Sequence, residues 1–139
     1  MALTILDAGV IIAILDSNDV HHAAAREAVT QALRRGEQLA IPASAYAEIL
    51  VGPYRQSPKA AATVDAFLAA LPARVEPAAR EIAAVAAELR ARHAARLRLP
   101  DALVVATAVE LQAVLIMTTD AAWPSLPIPV AVVTGASMS

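Results

Sequence analysis

The sequence has no cysteine, a single lysine (Lys59), four glycines and few aromatic side chains. Without cysteine there is neither a disulfide framework nor a thiolate metal site. Any bound metal must be held by oxygen or imidazole, and a reducing cytosol suits such a chain. No Gly-rich loop precedes a helix, which leaves a nucleotide-binding Rossmann or P-loop enzyme without support. A receiver domain would need a late lysine, and Lys59 is the only lysine. A haloacid-dehalogenase-like phosphatase would need a second acid at residue 9, where Gly9 stands. Excess positive charge is also missing. A net charge of −2 and a pI near 5.9 are not the footprint of a broadly basic nucleic-acid binder. They leave room for a local basic rim, because bound metal can supply positive charge at a phosphate.

What is present is apolar: 58% of the 139 residues are hydrophobic, enough for one compact core and too short a chain for two ordinary domains. We therefore expect a single domain over 1–139. The N-terminal stretch MALTILDAGVIIAILD lacks the basic start and small-residue cleavage site of a secretory signal, and Asp7 interrupts it, so it reads as folded structure. Ala102 to Thr119 carries one charge, Glu110, and is the only stretch that resembles a membrane span. A span would bury Glu110 at a cost of roughly 3 kcal/mol, and neither flank is basic. A buried helix running into a buried strand accounts for the same residues without that cost.

Leu3 to Leu6, Gln38 to Ile41, Ala73 to Val75, Val114 to Met117 and Val130 to Val133 read as short strands, mostly without polar alternation, as strands covered on both faces do. Helical patterns lie between them: Val10 to Asp16, Asp19 to Arg35, Ala43 to Tyr54, Lys59 to Leu71, Pro77 to Leu97 and Ala102 to Gln112. Gly36, Pro42, Gly52-Pro53, Pro58, Pro72, Pro77 and Pro100 fall at the expected joints. This alternation predicts an α/β fold, a parallel sheet flanked by helices.

Four carboxylates stand out against this background. Asp7 follows the strand TIL and Asp120 follows VLIMTT, so a parallel sheet delivers both to its carboxyl edge, where open α/β sheets place ligands. Each alone is explained equally well as the cap of a following helix. Glu48 lies mid-helix among apolar neighbours. It is not in a capping box, since Ala47 rather than Glu stands three residues after Ser44, and Arg55 is about two turns away, roughly 10 Å along a helix. Asp101 follows Pro100 at the start of an apolar helix, where an acid also complements the helix dipole. Clustered carboxylates repel by about 4 kcal/mol per 4 Å pair at an effective dielectric of 20, so such a cluster calls for a cation. Hard oxygen donors favour Mg2+ or Mn2+.

At these residues the sequence resembles the PIN-domain family, specifically the VapC-type toxins of bacterial toxin–antitoxin pairs. The resemblance runs through Asp7 with AGVIIAIL, IPASAYAEIL with Glu48, LPDALVVATA with Asp101, and VLIMTTDAAW with Thr118 and Asp120. It implies a three-layer α/β/α PIN fold and a metal-dependent, cytoplasmic endoribonuclease that hydrolyses RNA with metal-activated water. It also implies a homodimer and a VapB-type antitoxin seated in the active-site cleft. On the family pattern Asp7 and Asp101 are the principal metal ligands, Glu48 and Asp120 orient water or hold a second ion, and Thr118 supports the last acid. Many relatives carry Ser or Thr two residues after the first Asp, and Gly9 departs from that pattern. The alternative from a different class is a non-catalytic PIN-like module that binds RNA or protein through the same cleft, and the complete set of acids argues against it.

The remaining features have plainer explanations. Arg90, Arg92, Arg96 and Arg98 with His93 read as a solvated helix face rather than a phosphate grip, and His21 and His22 as surface or packing residues. Tyr46, Tyr54, Phe67 and Trp123 read as core or interface packing. The helices over Ala43 to Tyr54 and Lys59 to Leu71 carry more apolar residues than one small sheet needs, which marks a dimer or antitoxin surface.

Overall fold

A computed structural model describes residues 2–135. Five parallel strands form one sheet: β1 (Leu3–Leu6), β2 (Gln38–Pro42), β3 (Ala73–Glu76), β4 (Leu115–Thr118) and β5 (Val130–Val132), in the order β3-β2-β1-β4-β5. The helices are α1 (Ala8–Leu15), α2 (His22–Arg34), α3 (Ala43–Gln56), α4 (Pro58–Ala70), α5 (Arg80–His93) and α6 (Leu99–Glu110). The expected fold class is therefore observed, a parallel sheet flanked by helices. β1 is buried along its whole length, and Ile5, Ile41 and Ile116 on the three central strands are fully buried, as strands covered on both faces should be.

The order of strands creates the feature that matters. From β1 the chain first winds outward through β2 and β3, then returns to place β4 and β5 on the other side of β1. The direction of winding thus reverses between β1 and β4, which leaves a crevice beyond their carboxyl ends.

Helix boundaries shift from expectation throughout, with α1 beginning at Ala8, α2 at His22 and α5 at Arg80, and three further differences have a local reason. α3, expected to end at Tyr54 beside the Gly52-Pro53 joint, runs through that joint to Gln56. Gly52 has no Cβ to clash with the proline ring, so the usual bar to helix before proline is weakened. The helix expected over Pro77 to Leu97 is broken. α5 stops at His93, Ala94 takes a positive φ of 51°, and a short 3-10 turn (Ala94–Arg96) follows before the fully buried Leu97. An alanine in that sparsely populated conformation costs roughly 1–3 kcal/mol, which burial of Leu97 offsets. Finally, α6 begins at Leu99 rather than Ala102, with Pro100 in its first turn, where a missing N–H costs nothing. Asp101 is consequently inside the helix's first turn, not ahead of it.

The stretch from Ala102 to Thr119 resolves into α6, a turn and β4. Among the described residues no helix is long and apolar enough to cross a membrane.

Candidate active site

Asp7 is the first residue after β1 and the N-cap of α1, so the capping explanation and the edge-of-sheet explanation hold together. Its Oδ1 accepts from the Ala8 N–H at 2.9 Å, and its Oδ2 accepts from the Thr118 hydroxyl at 2.7 Å. Thr118 ends β4 and is fully buried; its oxygen in turn accepts from the Asp120 N–H at 3.1 Å. The register of the sheet sets this up, since Leu6 pairs with Met117 and the Asp7 N–H donates to the Met117 carbonyl at 2.9 Å. Asp120 lies two residues past β4 and is exposed. Its Oδ1 accepts from the Ala122 N–H at 2.8 Å and stabilises its own turn.

The other two acids come from helices. Glu48 sits on α3 and Asp101 in the first turn of α6, and α3 and α6 pack against one another. Neither carboxylate forms an ion pair among the described residues; the pairs found there are Arg35–Glu37, Arg74–Glu76 and Arg92–Glu88. Arg55 therefore does not neutralise Glu48.

The four acids nevertheless feel one another. Burial is the largest influence on Asp7 and pushes its carboxyl above the ordinary value. Its hydrogen bonds from Thr118 and Ala8 act in the opposite direction, and the charge of Asp120 adds to the rise. Glu48 is raised by partial burial, then by Asp7 and Asp101, against a lowering by Arg98. Asp101 is raised by partial burial, then by Asp7, with Arg98 lowering it and Asp120 raising it. Asp7 is thus the hub, with all three other acids close enough to repel it or be repelled by it.

Two neighbours escaped the sequence reading. Arg98, grouped there with a solvated basic face, is the N-cap of α6, and its charge reaches both Glu48 and Asp101. Trp123 packs against the core as expected, yet its indole also lies near enough to Asp101 to lower that carboxyl, while its buried Nε1 completes no hydrogen bond. Arg98 and Asp101 are three residues apart at one helix start, whereas the relations of Arg98 to Glu48 and of Trp123 to Asp101 come only from tertiary contact. Elsewhere the plain explanations hold. Arg90 donates to the Ala94 carbonyl at 2.5 Å and Arg92 pairs with Glu88 at 3.6 Å on the surface. His22 Nδ1 lies 2.7 Å from the Ala13 carbonyl, and His21 Nδ1 accepts from the Gly135 N–H at 3.1 Å. Tyr46 packs on the core and donates to Asp65, whereas Tyr54 is exposed.

In this arrangement no group of three or more His, Asp or Glu side chains among the described residues is placed so as to hold an ion by itself. The donor chemistry does fit a hard divalent cation: carboxylate oxygens only, mutually repelling, with the most buried member facing no arginine or lysine. Uncompensated carboxylates resist closer approach, and a cation reverses that repulsion.

Comparisons with known proteins point the same way as the topology. The profile of the PIN domain family matches residues 4–128. A toxin–antitoxin complex from Klebsiella pneumoniae contains a chain 24% identical, with a TM-score of 0.69 over 94% of this chain and 96% of that one. VapBC2 from Rickettsia felis, bound to a DNA fragment from its promoter, is 13% identical with a TM-score of 0.74 over 93% and 97%. VapC20 from Mycobacterium tuberculosis, described as a sarcin–ricin loop cleaving toxin, is 18% identical with a TM-score of 0.66 over 81% and 86%. These likenesses are of fold. No curated protein sequence matches the chain.

Proposed function

The chain belongs to the PIN-domain family, and on that premise we propose that it is a Mg2+- or Mn2+-dependent endoribonuclease, a single PIN domain acting in the cytoplasm as the toxin of a toxin–antitoxin pair. The observation that carries this reading is the meeting of Asp7, Glu48, Asp101 and Asp120 around the crevice between β1 and β4, with no protein cation facing Asp7. A purely structural cluster would have been neutralised by the protein itself.

In this reading Asp7 and Asp101 hold the ion, and Glu48 and Asp120 complete its surroundings. When bound, such an ion supplies Lewis-acid stabilisation of charge on a phosphodiester and lowers the pKa of water. Asp7 offers oxygens fixed in direction by the Ala8 N–H and the Thr118 hydroxyl, so little rearrangement is needed on binding. Thr118 ties Asp7 to the backbone of Asp120 and holds the strand-borne acids at one spacing. Glu48, raised by partial burial and then by its acidic neighbours, is suited to orient an attacking water and take its proton at a carboxylate oxygen. Arg98, exposed at the N-cap of α6 with its charge reaching Glu48 and Asp101, is suited to meet a substrate phosphate.

RNA as substrate and a small antitoxin as partner are supported by what the structural neighbours are described as doing and assembling with. An apolar groove of 410 Å³ between α1, α3 and α4, lined among others by Ile12, Leu15, Ile49, Pro53 and Val64, suits an apolar antitoxin segment. The exposed Val51, Tyr54 and Phe67 on α3 and α4 suit that partner or a second copy in a homodimer.

The test is incubation of antitoxin-free protein with total RNA and Mg2+ or Mn2+, alongside Asp7→Asn and an EDTA control. Discrete products from wild type with metal only are expected. Folded wild type and variant that are equally inactive across metals and RNAs would replace this reading with that of a non-catalytic binding module.

A further inference from the structure

The seam between the start of α1 and the exit of β4 carries a side chain that the site described so far does not use. Gly9 lies in the first turn of α1, two residues after Asp7. The space left by its missing side chain is filled by Thr119. A Cβ at residue 9 would overlap the Thr119 hydroxyl and stand 3.4 Å from Thr119 Cβ. Thr119 is half-buried and sits between Thr118, which donates to Asp7, and Asp120, whose charge Asp7 feels.

The two threonines of this seam are in opposite states. The Thr118 hydroxyl is fully committed, donating to Asp7 and accepting from the Asp120 N–H. The Thr119 hydroxyl has no hydrogen-bond partner among the described residues. It stands against Gly9, and its proton is committed to no other group of the described residues.

Resting on the reading of the acidic cluster as a divalent-cation site, we infer that Thr119 is a further positioning residue of that site, its hydroxyl bonding the hydrated ion from the space that Gly9 leaves open. The departure at residue 9 is then a relocation of a hydroxyl across the seam, from the helix to the strand exit, rather than a loss. Gly9 is required because any Cβ would expel that hydroxyl.

The experiment is calorimetric titration of Mn2+ into full-length wild type, Thr119→Val, Thr119→Ser, Gly9→Ala, the pair Gly9→Ala with Thr119→Val, and the pair Gly9→Ser with Thr119→Ala, each checked for folding by its melting transition. Thr119→Val keeps the branched shape and removes the hydroxyl, so its Mn2+ dissociation constant should rise about tenfold, the low end for losing an outer contact of a metal site. Thr119→Ser should bind as wild type does. Gly9→Ala should weaken binding comparably by displacing the hydroxyl, and adding Thr119→Val to it should cost nothing more, because both remove one interaction. Gly9→Ser with Thr119→Ala should bind more tightly than Thr119→Val. Wild-type affinity in Thr119→Val, or equal weakness in Thr119→Ser, overturns the inference while leaving the cation site in place. A wild type that binds no Mn2+ overturns both.

Discussion

The two ends of the central sheet carry the same hydrogen bond in opposite electrostatic settings. At the amino end, the buried Thr4 hydroxyl donates to Glu37 at 2.6 Å, and Arg35 approaches the other Glu37 oxygen at 2.6 Å. At the carboxyl end, the buried Thr118 hydroxyl donates to Asp7 at 2.7 Å, and no arginine or lysine follows. Glu37 is held below its ordinary value by the Thr4 hydroxyl first and then by Arg35, whereas Asp7 is pushed above its own by burial, with Asp120 adding to the rise. On the proposed reading, a carboxylate serving the fold has its counter-charge supplied within the chain, and one serving a ligand is left short of it.

The strongest way to break this comparison is to remove the unneutralised charge. Asp7→Asn or Asp101→Asn should lower RNA cleavage on the order of 10²–10³-fold, the size expected for loss of one electrostatic contributor, with the fold retained. Cleavage rates on a fixed RNA, normalised to folded protein, check this. Next in size is Thr118→Val, which keeps the shape but leaves Asp7 Oδ2 and the Asp120 N–H without partners. It should cost about 1–3 kcal/mol in urea unfolding.

At the amino end, Glu37→Gln should cost about 1 kcal/mol at neutral pH and leave cleavage unchanged. The pH dependence sharpens the contrast because the two signs differ. Glu37 is lowered in the folded state, so its contribution is present above its unfolded value and is lost as pH falls through the folded one. The Glu37→Gln deficit should therefore shrink in acid. Asp7 is raised, so the folded state binds more protons than the unfolded state between the two values, and metal-free stability should rise as pH falls through that window. The smallest effect is expected from Arg98→Ala. Removing the cation that lowers Glu48 and Asp101 should move the acid limb of the cleavage profile to higher pH, modestly, since Arg98 is exposed and screened.

Much of this architecture is legible in the sequence, because buried parallel strands announce themselves as unbroken apolar runs and Asp7 and Asp120 follow two of them. The strand order is less so. That β1 and β4 are neighbours, which brings Thr118 onto Asp7, depends on how the crossovers fold back and not on any local pattern. Helix boundaries shifted where a local rule was outweighed: with Gly52 before Pro53, α3 runs on past Tyr54 to Gln56, and the burial of Leu97 breaks the helix at Ala94. Trp123 beside Asp101, Arg98 near Glu48, and Thr119 against Gly9 are juxtapositions between distant segments, for which single residues leave no signal.

The central claim, that the carboxyl-edge cluster is short of a positive charge which a divalent ion supplies, is tested most directly by melting wild type, Asp7→Asn and Glu37→Gln at neutral pH in EDTA and in millimolar Mg2+. A ligand that binds only the folded state stabilises it by about 2.7 kcal/mol at a hundred times its dissociation constant. The account predicts that Mg2+ raises the melting temperature of wild type and Glu37→Gln alike and does little for Asp7→Asn, which in EDTA should melt above wild type. Equal Mg2+ responses in wild type and Asp7→Asn, or an Asp7→Asn protein that melts below wild type in EDTA, would contradict it.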